Sequence, residues 1–346
     1  MIRHYSYDAT QALSFDDVLL TPLYSEIDSR SEIEIKQQLK NINYDFTLPV
    51  ISSPMDTVTE SAMATAMHAA GGLGIIHRYN LPFNQADLVY KAGPKEERIV
   101  GGAIGVNDDF LDRSRLLCEA GASIICVDVA HGHHSRVRYA LETLRKTYGD
   151  TIHIMAGNVA TIEGFNALAN WGADSIRVGI GGGSICSTRI QTGHGQPTFQ
   201  SIYDCAKSSK NVTLIADGGI RNSGDIVKAL AAGADFVMVG SLLAGTNETP
   251  GEILHTKEGK KKVYRGMASK EAQEAWRGRV SSIEGVSHVV PHRGPVKEIL
   301  DELDIGIRSG LSYSGATSIP EFQAKARFIR QTSAGAIESS THIKTR

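Results

Sequence analysis

Eight short runs of nearly continuous apolar residues recur along the chain: LPVISS (48–53), LGIIH (73–77), IVGGAIG (99–105), SIICVDV (123–129), IHIMAG (152–157), SIRVG (175–179), VTLIAD (212–217) and FVMVG (236–240). Runs of this length with little polar alternation predict strands covered on both faces. Between them lie stretches with apolar residues at helical spacing, at 60–71, 108–122, 135–149, 161–173 and 223–234. In 135–149, Val137, Ala140, Leu141 and Leu144 fall on one helical face. Several of these stretches end in Ala-Gly-Gly or Ala-Gly-Ala, a helix-stop signal just before the next strand. Eight strands alternating with helices predict an α/β fold, a (β/α)8 TIM barrel forming a single domain over 1–346. A doubly wound sheet would carry a Gly-rich dinucleotide turn after its first strand. No complete GxGxxG occurs; Gly72-Leu73-Gly74 has His77 where the third glycine would stand.

After the eighth run the pattern breaks. Residues 247–295 are polar, basic and interrupted by Gly and Pro, more chain than a barrel core needs. Such a segment on the catalytic face predicts a flap or lid. Within it, Lys260-Lys261-Lys262 reads as a solvated hairpin tip. Residues 296–330 turn helical again, and 331–346 form a polar tail expected to be flexible or ordered by a neighbouring subunit.

Charge narrows the partners. Among 346 residues, 36 basic against 38 acidic side chains leave a net charge of −2, which argues against nucleic acid or an anionic membrane as partner. No apolar run reaches membrane-spanning length, and MIRHYSYDATQ at the N-terminus lacks the apolar core of a secretory leader. Four cysteines, widely spaced and without a CxxC, fit a reduced cytoplasmic protein better than a disulfide framework or a zinc site.

The densest chemical signal is GIGGGSICSTR (179–189), directly after the sixth run. Consecutive glycines let backbone N–H groups approach and hold an anion, helped by the Ser184 hydroxyl. Cys186 stands in that turn among hydroxyls and near Arg189, the setting of a nucleophilic thiolate. Cys118 and Cys126, in a helix and a strand, read as structural. Asp217-Gly218-Gly219 and Gly240-Ser241 end the seventh and eighth runs, where barrels of this kind commonly bind phosphate. Asp217 would repel a phosphate and is better suited to ribose hydroxyls. Asp128, opening DVAHGH (128–133), and Asn158 end the fourth and fifth runs; together they suit a ribose and an amide-bearing ring. His131, His133 and His134 have no carboxylate at metal-ligand spacing. In the flap, Tyr264-Arg265-Gly266-Met267 can set amides over a base, and Glu284 can bond a ring N–H or move protons.

Taken together, SFDDVLLTP (14–22), SSPMDTVTE (52–60), GGLGIIHR (71–78), DVAHGH, AGNVAT (156–161), VGIGGGSICSTR (178–189), IADGGIRNSGDIVKALAAGADFVMVGSLLAGT (215–246), YRGM (264–267) and the TSAGAIES tail resemble the IMP dehydrogenase / GMP reductase family. The resemblance spans about 14–340. It implies a barrel enzyme that binds a purine nucleoside monophosphate and a nicotinamide cofactor, NADP(H) or NAD. Cys186 would attack C2 of the purine to form a thioimidate, with Thr188 and Glu284 relaying protons. Ser53, Met55, Ser184, Asp217, Gly219, Gly240, Ser241, Tyr264, Gly266 and Met267 would contact the nucleotide. Asp128, Asn158 and Arg78 would contact the cofactor. The resemblance also implies a homotetramer and a monovalent cation such as K+. The cation would sit on the main chain of Gly181, Gly183 and Cys186, with Glu338 and Ser339 supplied by a neighbouring subunit.

The family runs two reactions. The reductase converts GMP and NADPH to IMP, ammonia and NADP; the dehydrogenase converts IMP, NAD and water to XMP and NADH. About two dozen residues separate His77 from Gly101, so the CBS modules usual in the dehydrogenases are not inserted there. The segment between Met267 and Glu284 lacks the adjacent Arg-Tyr that activates water in the dehydrogenases, and SRSEI (29–33) is reductase-like. DVAHGH, YRGM and TSAGAIES are dehydrogenase-like, and Arg78 stands where the reductases have Lys. GGGS, Ser187 and Gln196-Pro197-Thr198 depart from both patterns. GMP reductase is the expected activity, a CBS-less dehydrogenase the alternative, and a non-catalytic nucleotide sensor a remote third.

Overall fold

The strands follow the apolar runs closely. The computed structural model describes residues 11–94, 97–107, 109–280 and 283–339. A first strand, β1 (Val18–Leu20), lies outside the barrel. The alternating series then runs β2 (Val50–Ser52), α1 (Ser61–Ala69), β3 (Leu73–Ile76), α2 (Pro82–Lys91), β4 (Val100–Ile104), α3 (Phe110–Glu119), β5 (Ile124–Asp128), α4 (Ser135–Tyr148), β6 (His153–Val159) and α5 (Ile162–Asn170). It continues with β7 (Ser175–Val178), α6 (Thr188–Thr192), α7 (Thr198–Cys205), β8 (Thr213–Asp217), α8 (Ser223–Ala231) and β9 (Phe236–Val239). Strands β2 to β9 are parallel in sequence order and close on themselves through β2–β9, giving the (β/α)8 barrel.

Alternation along each strand divides the apolar side chains between two cores. Ile51, Leu73, Ile75, Ala103, Ile124, Cys126, Met155, Ile215, Phe236 and Met238 form one cluster inside the barrel, floored by Leu39 and Phe46. Their neighbours, such as Ile76, Ile125, Val127, Ile154, Ile176 and Val237, belong to the cluster shared with the surrounding helices. In α4, Val137, Ala140, Leu141 and Leu144 are the buried positions, as their spacing predicts.

After β9, residues Leu254–Thr256 (β10), Gly259–Arg265 (β11) and Ser287–Pro291 (β12) make a separate antiparallel sheet, with α9 (Lys270–Arg277) between β11 and β12. The lysine run does not form a free tip. Lys262 is buried, and its Nζ donates to the carbonyls of Thr246 and Thr249. Strand alternation puts Lys262 and Tyr264 on the buried face, with Val263 between them exposed. The stretch expected as one closing helix holds α10 (Val296–Ser312), α11 (Ile319–Lys325) and β13 (Phe328–Arg330), which pairs antiparallel with β1. Within the tail, Ser333–Glu338 form α12, capped by the Thr332 hydroxyl. Residues 340–346 lie outside the described part. No described helix is long and apolar enough to cross a membrane.

Candidate active site

The inward-facing positions, continued one step past the apolar core, deliver polar groups to the C-terminal rim. Following Ile124 and Cys126 on β5, the next inward residue is Asp128; after Ile215 on β8 it is Asp217. By the same step Ile51 leads to Ser53, Met238 to Gly240, and Ser175 to Arg177. Barrel enzymes carry their chemistry on this rim.

Arg177, buried on β7, ties the rim together. Its Nη1 donates to Asp128 Oδ1 at 2.6 Å, and its Nε and Nη2 donate to Asp217 Oδ2 at 3.0 and 2.8 Å. Asn158 Nδ2 donates to Asp217 Oδ2 and to the Gly179 carbonyl, both at 2.8 Å. Both amide donors are therefore spent, and Asn158 offers a ligand its Oδ1. Asp217 takes all three bonds on Oδ2, and Oδ1 receives none from the described residues. Arg78 Nε approaches Asp128 Oδ2 at 3.5 Å. Burial alone would raise the Asp128 carboxyl, but Arg177 and then Arg78 hold it below its ordinary value. Burial would likewise favour a neutral Arg177, yet the neighbouring carboxylates keep it firmly protonated. The Cys126 thiol under this network is pushed up to about 12 by burial, which makes it a packing group.

Cys186 sits at the mouth. Its Sγ is 3.1 Å from Thr188 Oγ1. The cysteine loop is joined to the flap as an antiparallel bridge between Cys186 and Gly285. Ser187 N–H donates to the Glu284 carbonyl at 3.0 Å and Val286 N–H to the Ile185 carbonyl at 3.1 Å. Gly266 N–H in turn donates to the Val286 carbonyl at 3.0 Å, so Glu284, Gly266 and Cys186 share one patch of backbone.

Beside the cysteine loop, the amides of Gly218, Gly219, Gly240 and Ser241 find no acceptor among the described residues. Unsatisfied amides converging beside a cleft suit an anion. Tyr264 is buried next to them, with Ser184 and Ser241 beside it in the lining; burial first, and the nearby Asp217 charge, raise its phenol above the usual value. Space here is tight. A Cβ on Gly240 would stand 3.1 Å from both Met55 Sδ and Tyr264 Oη. The flap is anchored to the loop after β2 by Arg265, whose Nη2 bonds Asp56 Oδ2 at 2.6 Å, and Asp56 N–H approaches Met267 Sδ at 3.3 Å.

One cleft of about 370 Å³ is lined by Ser53, Met55, Arg78, Asp128, Asn158, Gly181, Gly183, Ser184, Cys186, Thr188, Asp217, Gly219, Gly240, Ser241, Tyr264, Gly266, Met267 and Glu284. Glu338 and Ser339 do not line it; Ser339 Oγ bonds Gln331 and Gly335 of its own tail. Among the described residues no group of three or more His, Cys, Asp or Glu side chains is arranged to hold a metal ion. Sequence reasoning missed Arg177, although a charged residue two steps from a strand end, in phase with the inward face, was a usable signal. It also missed Tyr79, which lines the cleft and stacks on Trp276 of α9 with ring centroids 4.2 Å apart.

The chain matches the IMP dehydrogenase / GMP reductase domain over residues 12–342. It is 35% identical to inosine-5'-monophosphate dehydrogenase of Nitrosopumilus maritimus (strain SCM1), covering 96% of this chain and 98% of that protein. That alignment runs to 470 positions, so more than a hundred of them have no residue here. Identity to GMP reductase of Leishmania major is 44%, over 70% of this chain and 52% of that protein. A solved structure of a cysteine-to-alanine variant of GMP reductase from Trypanosoma brucei, in complex with guanosine 5'-monophosphate, is similar with a TM-score of 0.90 at 31% identity, covering 96% of this chain and 98% of that one. With the domain matched over nearly its whole length, the chain belongs to the IMP dehydrogenase / GMP reductase family of oxidoreductases.

Proposed function

We propose that this protein is a GMP reductase, converting GMP and NADPH to IMP, ammonia and NADP through a covalent bond between Cys186 and C2 of the purine. The observation that carries this reading is the junction of the cysteine loop with the flap. A thiol 3.1 Å from a hydroxyl lies on backbone paired with the Glu284–Gly285 segment, in a cleft also lined by unsatisfied amides. Gly218, Gly219, Gly240 and Ser241 would take the phosphate by their N–H groups, with the neutral Tyr264 and Ser184 closing around it. Asp217 Oδ1 would accept from ribose hydroxyls, and Ser53, Met55, Gly266 and Met267 would enclose the base. The Cys186 thiolate adds to C2, Thr188 and Glu284 protonate the departing amino group, and ammonia leaves a thioimidate. Return of a hydride to C2 lets the thiolate depart with IMP.

The cofactor supplies that hydride. The residues present fit it. Arg78 Nε is a buried donor without a hydrogen-bond acceptor, and Asn158 Oδ1 is an acceptor held in place by two spent donors. Asp128, kept ionised by Arg177 and Arg78, suits the hydroxyls of the adjoining ribose. The same reading makes the active form a homotetramer. Carbonyls of Gly181, Gly183 and Cys186, with Glu338 and Ser339 of a neighbouring subunit, would hold a monovalent cation. Four free cysteines fit a reducing compartment such as the cytoplasm.

Dehydrogenase chemistry is the second reading, favoured by full-length similarity to proteins named inosine-5'-monophosphate dehydrogenase. One paired assay decides between them. GMP with NADPH should release ammonia and consume NADPH, while IMP with NAD should give no XMP. The reverse outcome makes the protein a dehydrogenase.

A further inference from the structure

The reaction proposed above gives α9 no task, yet this flap helix turns an indole back toward the barrel. Trp276 stacks on Tyr79 with planes 18° apart. Tyr79 follows Arg78 in the loop after β3, and both line the cleft at its Asp128 end. The Arg78 guanidinium carbon lies 5.5 Å from the centre of the Tyr79 ring and 5.9 Å from that of Trp276, a cation–π arrangement with both. Its Nε faces Asp128 at 3.5 Å and makes no hydrogen bond. The aromatic pair therefore contributes to fixing this guanidinium, and half of the pair sits on the flap.

We propose that Trp276 is a positioning residue for the cofactor. Stacked on Tyr79, it closes α9 over the Asp128 end of the cleft and holds Arg78 beside Asp128, where the incoming dinucleotide would lie. This rests on the reading that a nicotinamide dinucleotide lies against Asp128, Asn158 and Arg78. The nucleotide end is governed by other contacts. Tyr264 and Gly266 are fixed through β11, which Arg265 ties to Asp56 independently of Trp276. Losing the indole should therefore weaken one ligand and spare the other, which general damage to the flap would not do.

The test is calorimetry on the full chain. GMP is titrated first, and NADP+, which cannot donate hydride, is then titrated onto the GMP complex, with NAD+ in parallel. For Trp276→Ala, dinucleotide affinity should fall about tenfold while GMP affinity stays within about twofold, the scale of a lost stacking and cation–π contact. Trp276→Phe should restore most of the loss, and Trp276→Ala combined with Tyr79→Ala should be no worse than the more affected single variant. Unchanged dinucleotide affinity in Trp276→Ala, or an equal loss of GMP affinity, overturns the proposal while leaving the cofactor reading intact. A wild-type protein that binds GMP but neither dinucleotide overturns the cofactor reading and this proposal with it.

Discussion

Arg177 decides how the rim carboxylates behave, because two of them converge on one buried guanidinium. Arg177→Met should leave Asp217 without a cation and Asp128 with Arg78 alone, and lower stability by about 3–5 kcal/mol, the usual penalty for breaking a buried ion pair. Urea unfolding monitored at neutral pH checks this; a loss under 1 kcal/mol would mean that water already screens the pair. Cys186, the Gly-rich turn and the two aspartates were legible in the sequence, since glycine runs and strand ends leave local marks. Arg177 was not, because SIRVG reads simply as an apolar strand until the inward face is known. Lys262 was misread for a related reason: three lysines in a row look solvated, yet alternation along β11 buries the last of them against two carbonyls.

At the scale of elements, the flap and the cysteine loop act as one unit. A Cβ at Gly285 would stand 2.8 Å from the Ser269 amide nitrogen and 3.1 Å from the Ala268 carbonyl carbon, so Gly285→Ala must shift the bridge that carries Glu284. Turnover should fall at least about tenfold, since small misplacements of catalytic groups are expensive. Thermal stability should hardly change, because residues 283–286 belong to neither core cluster. Steady-state rates alongside a melting curve separate the two effects; a large melting shift with normal turnover per folded molecule would contradict the argument. The helices α2 and α7 were not among the stretches singled out in the sequence; prolines mark both starts, Pro82 in the first turn and Pro197 as the cap. Ser318 and Pro320 did the reverse, splitting an apparently continuous closing helix into α10 and α11. Only the hairpin of the flap's sheet was legible: its strands are polar and partly exposed, so the third, β12, is carried by pairing rather than by burial.

The whole barrel was legible because its strands are buried on both faces and announce themselves eight times over; its quaternary arrangement leaves no comparable pattern in one chain. Stability of the whole should respond to pH through Asp235, which precedes β9. Burial raises its carboxyl to about 6, partly offset by the Leu214 N–H it accepts at 2.7 Å. The folded form thus holds a proton that the unfolded chain has already released above about pH 4, and stability must fall as pH rises from about 4 through 6. Asp235→Asn removes that loss. The variant should be more stable than wild type at pH 7 by on the order of 2 kcal/mol, and the gap should close near pH 4. A gap that does not vary with pH would show that the carboxyl is not the cause. The central claim is that Cys186 becomes covalently joined to the purine. Acid-quenched mixtures of enzyme, GMP and NADPH, read by intact-protein and peptide mass spectrometry, should show a nucleotide adduct on the peptide containing Cys186, absent from Cys186→Ala, which should still bind GMP but not turn it over. A Cys186→Ala protein that keeps turnover within tenfold of wild type, with no adduct in either protein, would contradict the account.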